Sequence, residues 1–215
     1  MKHTILFVSA ILFFCFSASA HIHHHCDCHK CDTNGVKGEG DLGFYYTPLI
    51  SQPSLGAAID VKFLVAPKLF SGLSLAASGT NIGNTFNYTI GSPRINYYEI
   101  GWLNTYDVYS KKNLLVNAEL NNAFAGASLA DNDQKEEYYS RYGKSYRAKV
   151  IARNYYYVLE PGIAAALKLG EDKCKQDYYL IAKARYRFAF GDSRFASAQG
   201  FSGMSLSIGI AIRGI

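Results

Sequence analysis

The chain has 215 residues with 22 Lys and Arg against 17 Asp and Glu, a formal net charge of +5, and 18% charged residues. A mild cationic excess without any dense Lys/Arg block argues against a nucleic-acid partner. No segment after the first twenty residues approaches 18 uninterrupted apolar positions, which excludes a helical membrane protein; 17 tyrosines beside a single Trp suit a β-rich chain.

Residues 1–20 read as a signal peptide. Lys2 and His3 form a short basic start, Ile5 to Phe16 is an apolar run, and Ala18-Ser19-Ala20 is a small-residue cleavage site. The run is too short for a transmembrane anchor, and a lipoprotein site at Cys15 would put Phe14 just before the modified cysteine. Cleavage after Ala20 removes Lys2, lowers the net charge to +4 and leaves a mature chain of 195 residues, enough for one domain.

Residues 21–39 read as a flexible tail that ends in a Gly-rich linker, Asn34-Gly35-Val36-Lys37-Gly38-Glu39-Gly40. The tail begins His21-Ile22-His23-His24-His25-Cys26-Asp27-Cys28-His29-Lys30-Cys31, with five histidines and three cysteines in 11 residues. Imidazole and thiolate are ligands for Cu, Ni and Zn, so His21, His23, His24, His25, Cys26, Cys28, His29 and Cys31 are the candidate metal ligands. After cleavage, the free amine, two amides and His23 have the spacing for a square-planar Cu(II) or Ni(II) site. The alternative is a disulfide set, because an exported chain meets an oxidising compartment and Cys174 makes a fourth mature cysteine. An engineered affinity tag is a poor fit to a run broken by Ile22 and three cysteines.

Eight strand-like stretches follow, each alternating between two faces as a pleated strand requires. They run roughly over 40–50, 57–66, 69–79, 94–109, 114–124, 149–169, 178–190 and 203–213. The second sets Ile59, Val61, Phe63 and Val65 opposite Asp60 and Lys62. The fourth sets Tyr98, Ile100 and Trp102 opposite Glu99, and the fifth sets Leu114, Val116 and Leu120 opposite Glu119. The seventh carries Tyr178, Leu180, Tyr186, Phe188 and Phe190 against Lys183, Arg185 and Arg187, and the eighth carries Met204, Leu206, Ile208 and Ile210 against Ser205, Ser207 and Gly209. Ser51 to Ser54 is expected to break the first hairpin. Pro67-Lys68 and 110–113 read as tight turns, and 80–93, 126–146 and 191–202 as long loops.

Alternation alone does not orient a barrel, and a soluble lipocalin-type barrel would turn the oily face inward. The polar face here is rich in Gly, Ala and Ser, as the narrow interior of eight strands demands. It carries both charge signs, which can neutralise one another inside. Tyrosines gather near stretch ends (Tyr97, Tyr98, Tyr106, Tyr109, Tyr138, Tyr139, Tyr155 to Tyr157, Tyr178, Tyr179), as at a lipid boundary. The expected fold is all-β: an eight-stranded antiparallel up-and-down transmembrane β-barrel over 40–215.

On these stretches the chain resembles the small eight-stranded bacterial outer-membrane barrels of the OmpX and OmpA membrane-domain type. The resemblance implies a protein in the outer membrane of a Gram-negative envelope, in contact with lipid, serving a structural, adhesive or defence role, while a few members of the family are lipid-modifying enzymes. A monomer is expected, and the even strand number places both chain ends, hence the N-terminus, on the periplasmic side. Members of the family commonly end in Phe, whereas this chain ends Ile212-Arg213-Gly214-Ile215. An enzyme is not expected: every mature histidine lies between 21 and 29, away from the external loops, and no phosphate-binding Gly-rich loop occurs. Asp131, Asp133, Glu136 and Glu137 form an acidic cluster in the 126–146 segment, read as a solvated surface or a weak Ca²⁺ site. The expected function is a non-enzymatic outer-membrane barrel with a metal-binding tail. The alternatives are a porin-like narrow channel lined by Lys183, Arg185 and Arg187, or a secreted lipocalin-like binder.

Overall fold

Two-residue periodicity in the chain becomes one continuous closed wall in the structure. A computed structural model describes residues 37–140, 143–172, 176–191 and 194–214. Its strands are β1 (Gly38–Leu49), β2 (Gln52–Ala66), β3 (Leu69–Asn81), β4 (Pro93–Lys111), β5 (Leu114–Ser140), β6 (Gly143–Glu171), β7 (Gln176–Phe190) and β8 (Gly203–Gly214). Each pairs antiparallel with its sequence neighbours, and β1 pairs with β8, so the sheet closes on itself and has no free edge in the wall. A short 3₁₀ turn, Ala198–Phe201, lies between β7 and β8.

The residues of the oily stripe face outward. Val61, Leu120, Phe188 and Ile208 are exposed, as are Phe44, Ile100 and Trp102, whereas Asp60, Lys62, Glu119, Arg185 and Arg187 are buried inside. This arrangement excludes the lipocalin-type orientation, because the large aliphatic residues surround the cylinder instead of converging in it. The small interior residues allow the tight curvature. Gly43 of β1 pairs with Gly209 of β8; a Cβ on either would fall 2.6 or 2.1 Å from a carbonyl oxygen of the opposite strand.

The expected elements differ from the structure at four places. β1 begins at Gly38, so Glu39 belongs to the wall and not to the linker. The first hairpin turns at Ile50-Ser51, both at positive φ (52° and 62°), with Pro48 paired to Pro53 behind it. The segment expected to loop over 126–146 is mostly strand: β5 and β6 continue as a hairpin past Asp131, where pairing with β4 stops. Of the tyrosines expected at a girdle, Tyr97, Tyr156 and Tyr179 point into the lumen, while Tyr98, Tyr106, Tyr109, Tyr155 and Tyr157 are on the outside.

Candidate functional site

The lumen is filled in layers by side chains from all eight strands. At the end where the chain enters β1, Arg213 of β8 donates from Nε to Glu39 at 2.8 Å and from both terminal nitrogens to Asp107 of β4 at 2.9 and 3.1 Å. Its guanidinium also lies 4.3 Å from the Phe70 ring centre. Lys62 donates to Glu39 at 2.8 Å and stands 3.7 Å from Asp41.

The middle layer is an alternating chain of ions. Lys183 contacts Asp41 and Asp60 at 2.5 Å each, and Arg185 bridges Asp60 and Glu119 at 2.7 Å each. Register produces this. The inward positions of β1, β2, β5 and β7 carry opposite signs at the same depth, and a buried charge is tolerable only with such a partner. Glu99 and Glu160 lie above it. The Asn121 amide donates to both, at 2.8 and 3.3 Å, and the Tyr97 hydroxyl donates to Glu99 at 2.6 Å. The space left among Tyr45, Asp60, Glu99, Glu160 and Arg185 is about 10 Å³, no more than one water-sized sphere.

Arg187 forms the next layer. It is fully buried. Its Nε donates to the Phe201 carbonyl, Nη1 to the Tyr45 hydroxyl at 3.2 Å and Nη2 to the Pro48 carbonyl at 3.1 Å. The guanidinium stacks 4.6 Å from the Tyr97 ring centre. Beyond it the mouth is closed by an apolar cluster that includes Leu49, Ile82, Ile90, Leu129, Phe195 and Phe201. Phe201, from the 3₁₀ turn, sits 4.8 Å from the Tyr156 ring and 6.4 Å from Tyr97. The long connections at this end therefore fold back over the opening.

The sequence-predicted site residues fare differently. Lys183, Arg185 and Arg187 are brought together in the lumen as expected, but with bonded partners. His21, His23, His24, His25, Cys26, Cys28, His29, Cys31 and Cys174 lie outside the described residues, as do the expected signal peptide over 1–20 and Ile215. The acidic cluster is dispersed. Asp131 is buried and accepts backbone N–H groups of Asp133 and Ser92 at 3.1 Å and of Gly91 at 3.3 Å. Glu136 pairs with Arg147 and Glu137 with Lys144, each at 2.6 Å. Among the described residues no group of three or more His, Cys, Asp or Glu is arranged to hold a metal ion. Glu39, Asp107 and Arg213 were missed in the sequence reading, although Glu39 lies in phase with Asp41 and would follow from extending the alternation one step.

No known family pattern matches the chain, and no curated protein matches it. Solved structures do match. A major outer membrane protein from Thermus thermophilus aligns over 84% of this chain and 100% of its own, with 14% identity and a TM-score of 0.53. Ail, the attachment invasion locus protein of Yersinia pestis, aligns over 83% of this chain and 98% of its own at 8% identity and a TM-score of 0.48. Neisserial surface protein A aligns over 84% and 97% at 11% identity and a TM-score of 0.47. With oily residues outside, ions inside, eight strands and the Thermus protein's match in fold, the chain has the architecture of the small eight-stranded transmembrane β-barrels of outer membranes.

Proposed function

We propose that this protein is a non-enzymatic, monomeric barrel of a bacterial outer membrane, closed to solutes, that serves as a rigid mount. It would hold the β5–β6 hairpin outside the cell and the N-terminal tail in the periplasm. The observation that carries this reading is the sealed lumen: Arg187 fixed between Tyr97 and the Phe201 carbonyl, with paired ions beneath it. An interior filled in this way leaves no path for a hydrated ion. The turns support a periplasmic side for the tail. The chain enters β1 and leaves β8 at the end where every connection is short, 67–68, 112–113 and 172–175, whereas the opposite end carries the long connections 82–92 and 191–202 as well as the tight turn 50–51, and short turns face the periplasm in such barrels.

The surface role is supported by the hairpin, where Tyr139 is 79% and Tyr146 58% exposed beyond the wall. Such amphipathic rings give contact area at low entropic cost. Planar-bilayer recording of the folded protein should give no conductance steps. Anion-selective steps would instead favour the channel lined by Lys183, Arg185 and Arg187. Membrane fractionation with heat-modifiable gel migration tests the location.

A second reading concerns the tail and rests on its sequence alone. His21, His23, His24, His25, Cys26, Cys28, His29 and Cys31 would bind Cu, Ni or Zn, making the protein a metal buffer or sensor. Titrating each ion into the barrel with and without residues 21–31 decides it, since equal affinities would remove the metal role.

A further inference from the structure

Most acids that face the lumen have a cation to answer them. Glu39, Asp41, Asp60, Asp107, Glu119 and Asp177 each stand 2.5–2.9 Å from a Lys or Arg nitrogen. Glu99 and Glu160 do not. They are 5% and 2% exposed, and among the described residues no Lys or Arg forms an ion pair with either. Two buried charges without counter-ions would be costly in a dry lumen.

Register brings the two acids together. Glu99 of β4 and Glu160 of β6 lie on either side of β5. The inward Asn121 of β5 shares one amide nitrogen between them, Nδ2 donating to Glu99 Oε1 at 2.8 Å and to Glu160 Oε2 at 3.3 Å. The Tyr97 hydroxyl covers the second oxygen of Glu99 at 2.6 Å, whereas Glu160 Oε1 meets no donor. That oxygen is where the pair can carry a proton without displacing a hydrogen bond.

The surroundings set the count. Lys183 and Arg185 of β7 are held by Asp41 of β1, Asp60 of β2 and Glu119 of β5. Tyr45 of β1 and Tyr97 of β4 are phenols, which carry no charge at neutral pH. β3 and β8 present Ala76 and Ser205 here, which do not ionise. Among the described residues Arg187 is the lumenal cation without a carboxylate partner, its nitrogens donating to Tyr45 and to two carbonyls. It can balance one negative charge, not two. Like charges crowded in a low-dielectric site do not both ionise.

We propose that Glu99 and Glu160 bind one proton between them at neutral pH, as one carboxylic acid beside one carboxylate. The layer beneath Arg187 is then a proton-binding site that matches the charge of the pair to that cation. The site belongs to the lumen and stands apart from the loop and tail roles above.

Infrared difference spectroscopy of the full mature chain, folded in phospholipid vesicles, tests it through the C=O stretch of a protonated carboxylic acid. The wild type at neutral pH should show that band. It should be lost in Glu99→Gln, in Glu160→Gln and in the double variant, because Gln reproduces the neutral acid and leaves its partner ionised. Heat-modifiable migration reports that each variant has folded. Wild type grown with carboxyl-labelled ¹³C glutamate should show the band shifted, which keeps the test in force where a variant fails to fold. No band in the wild type overturns the site, and so does an unshifted band, which would belong to an aspartate. A band that survives in the double variant comes from another acid, and one that survives in either single variant means that a glutamate holds a proton without its partner. Both results overturn the shared site.

Discussion

Lys183 places its ammonium 2.5 Å from a carboxylate oxygen of Asp41 and 2.5 Å from one of Asp60. One residue of β7 thereby ties β1 and β2 across the lumen, over 142 and 123 residues of sequence. The two acids are not equally dependent on it. Asp60 keeps Arg185 at 2.7 Å, whereas Asp41 would be left with Lys62 at 3.7 Å.

Lys183→Met should therefore destabilise the barrel by about 3–5 kcal/mol, the cost of a buried charge deprived of its partner. Adding Asp41→Asn should recover more than half, since it removes the acid left most exposed to that loss. Urea unfolding in lipid vesicles measures both. If Asp41→Asn brings no recovery, the Lys183 contact with Asp41 is not where the energy lies.

The turn between β1 and β2 has room for improvement. Ile50 and Ser51 both hold positive φ, the geometry that suits a two-residue hairpin but disfavours residues with a Cβ, at about 1–2 kcal/mol each. Ile50 is fixed in place by its N–H donating to the Gly200 carbonyl at 2.6 Å and by packing on the apolar cluster. Ser51 is exposed and makes no such contact. Ser51→Gly should raise stability by about 1 kcal/mol, seen as a higher urea midpoint with unchanged slope. An equal or lower midpoint would mean that the turn is not strained at Ser51.

The wall was legible in the sequence because burial inside and exposure outside impose a period of two along each strand, interrupted at bulges such as those at Leu64/Ala66 and Asp107/Tyr109. Asp60, Glu99, Glu119, Glu160, Lys183, Arg185 and Arg187 all fell on the face that proves to be lumenal. The hairpin past Asp131 was not legible, since neither of its faces is buried and Asn132-Asp133-Gln134-Lys135-Glu136-Glu137 shows no alternation. Consecutive tyrosines hid the lumenal ones: in Tyr97-Tyr98 and Tyr155-Tyr156-Tyr157 both faces are aromatic. The turn at Ile50-Ser51 carries neither Gly nor Asn, so its only signal was Pro53, two residues too late.

Asp131 lies beyond the Tyr98 row and outside the spanning part of the wall. Burial pushes its carboxyl up, but the N–H groups of Asp133, Ser92 and Gly91 outweigh that and hold it below the ordinary carboxylate range. A carboxyl lowered on folding stabilises above its unfolded value, near pH 3.9, and that contribution is lost as pH falls through the lower folded value. Amide exchange of the 82–92 loop should therefore quicken as pH drops below about 4, beyond the intrinsic pH dependence of exchange. In Asp131→Asn the loop should be less protected at neutral pH and show no such transition. A wild-type transition that survives in the variant would assign the titration elsewhere.

Pro161 marks a defect in the wall itself. Pairing of β6 with β7 runs through Leu159 opposite Phe188 and resumes at Gly162 opposite Arg185, with Glu160 and Pro161 unpaired to β7 although both remain paired to β5. The register on either side sets Pro161 against Tyr186, whose carbonyl meets a residue with no N–H to give. Water can satisfy that carbonyl in a soluble sheet, but within lipid an unpaired backbone group costs several kcal/mol. Proline offsets part of this by restricting the unfolded chain, by about 0.4–1 kcal/mol. Pro161→Ala should accordingly give a net gain of at least about 1 kcal/mol in vesicles and a smaller one in detergent, where water reaches the wall more readily. The backbone N–H that this substitution introduces should exchange slowly. An unchanged or lowered stability in lipid would mean that the Tyr186 carbonyl already has another donor.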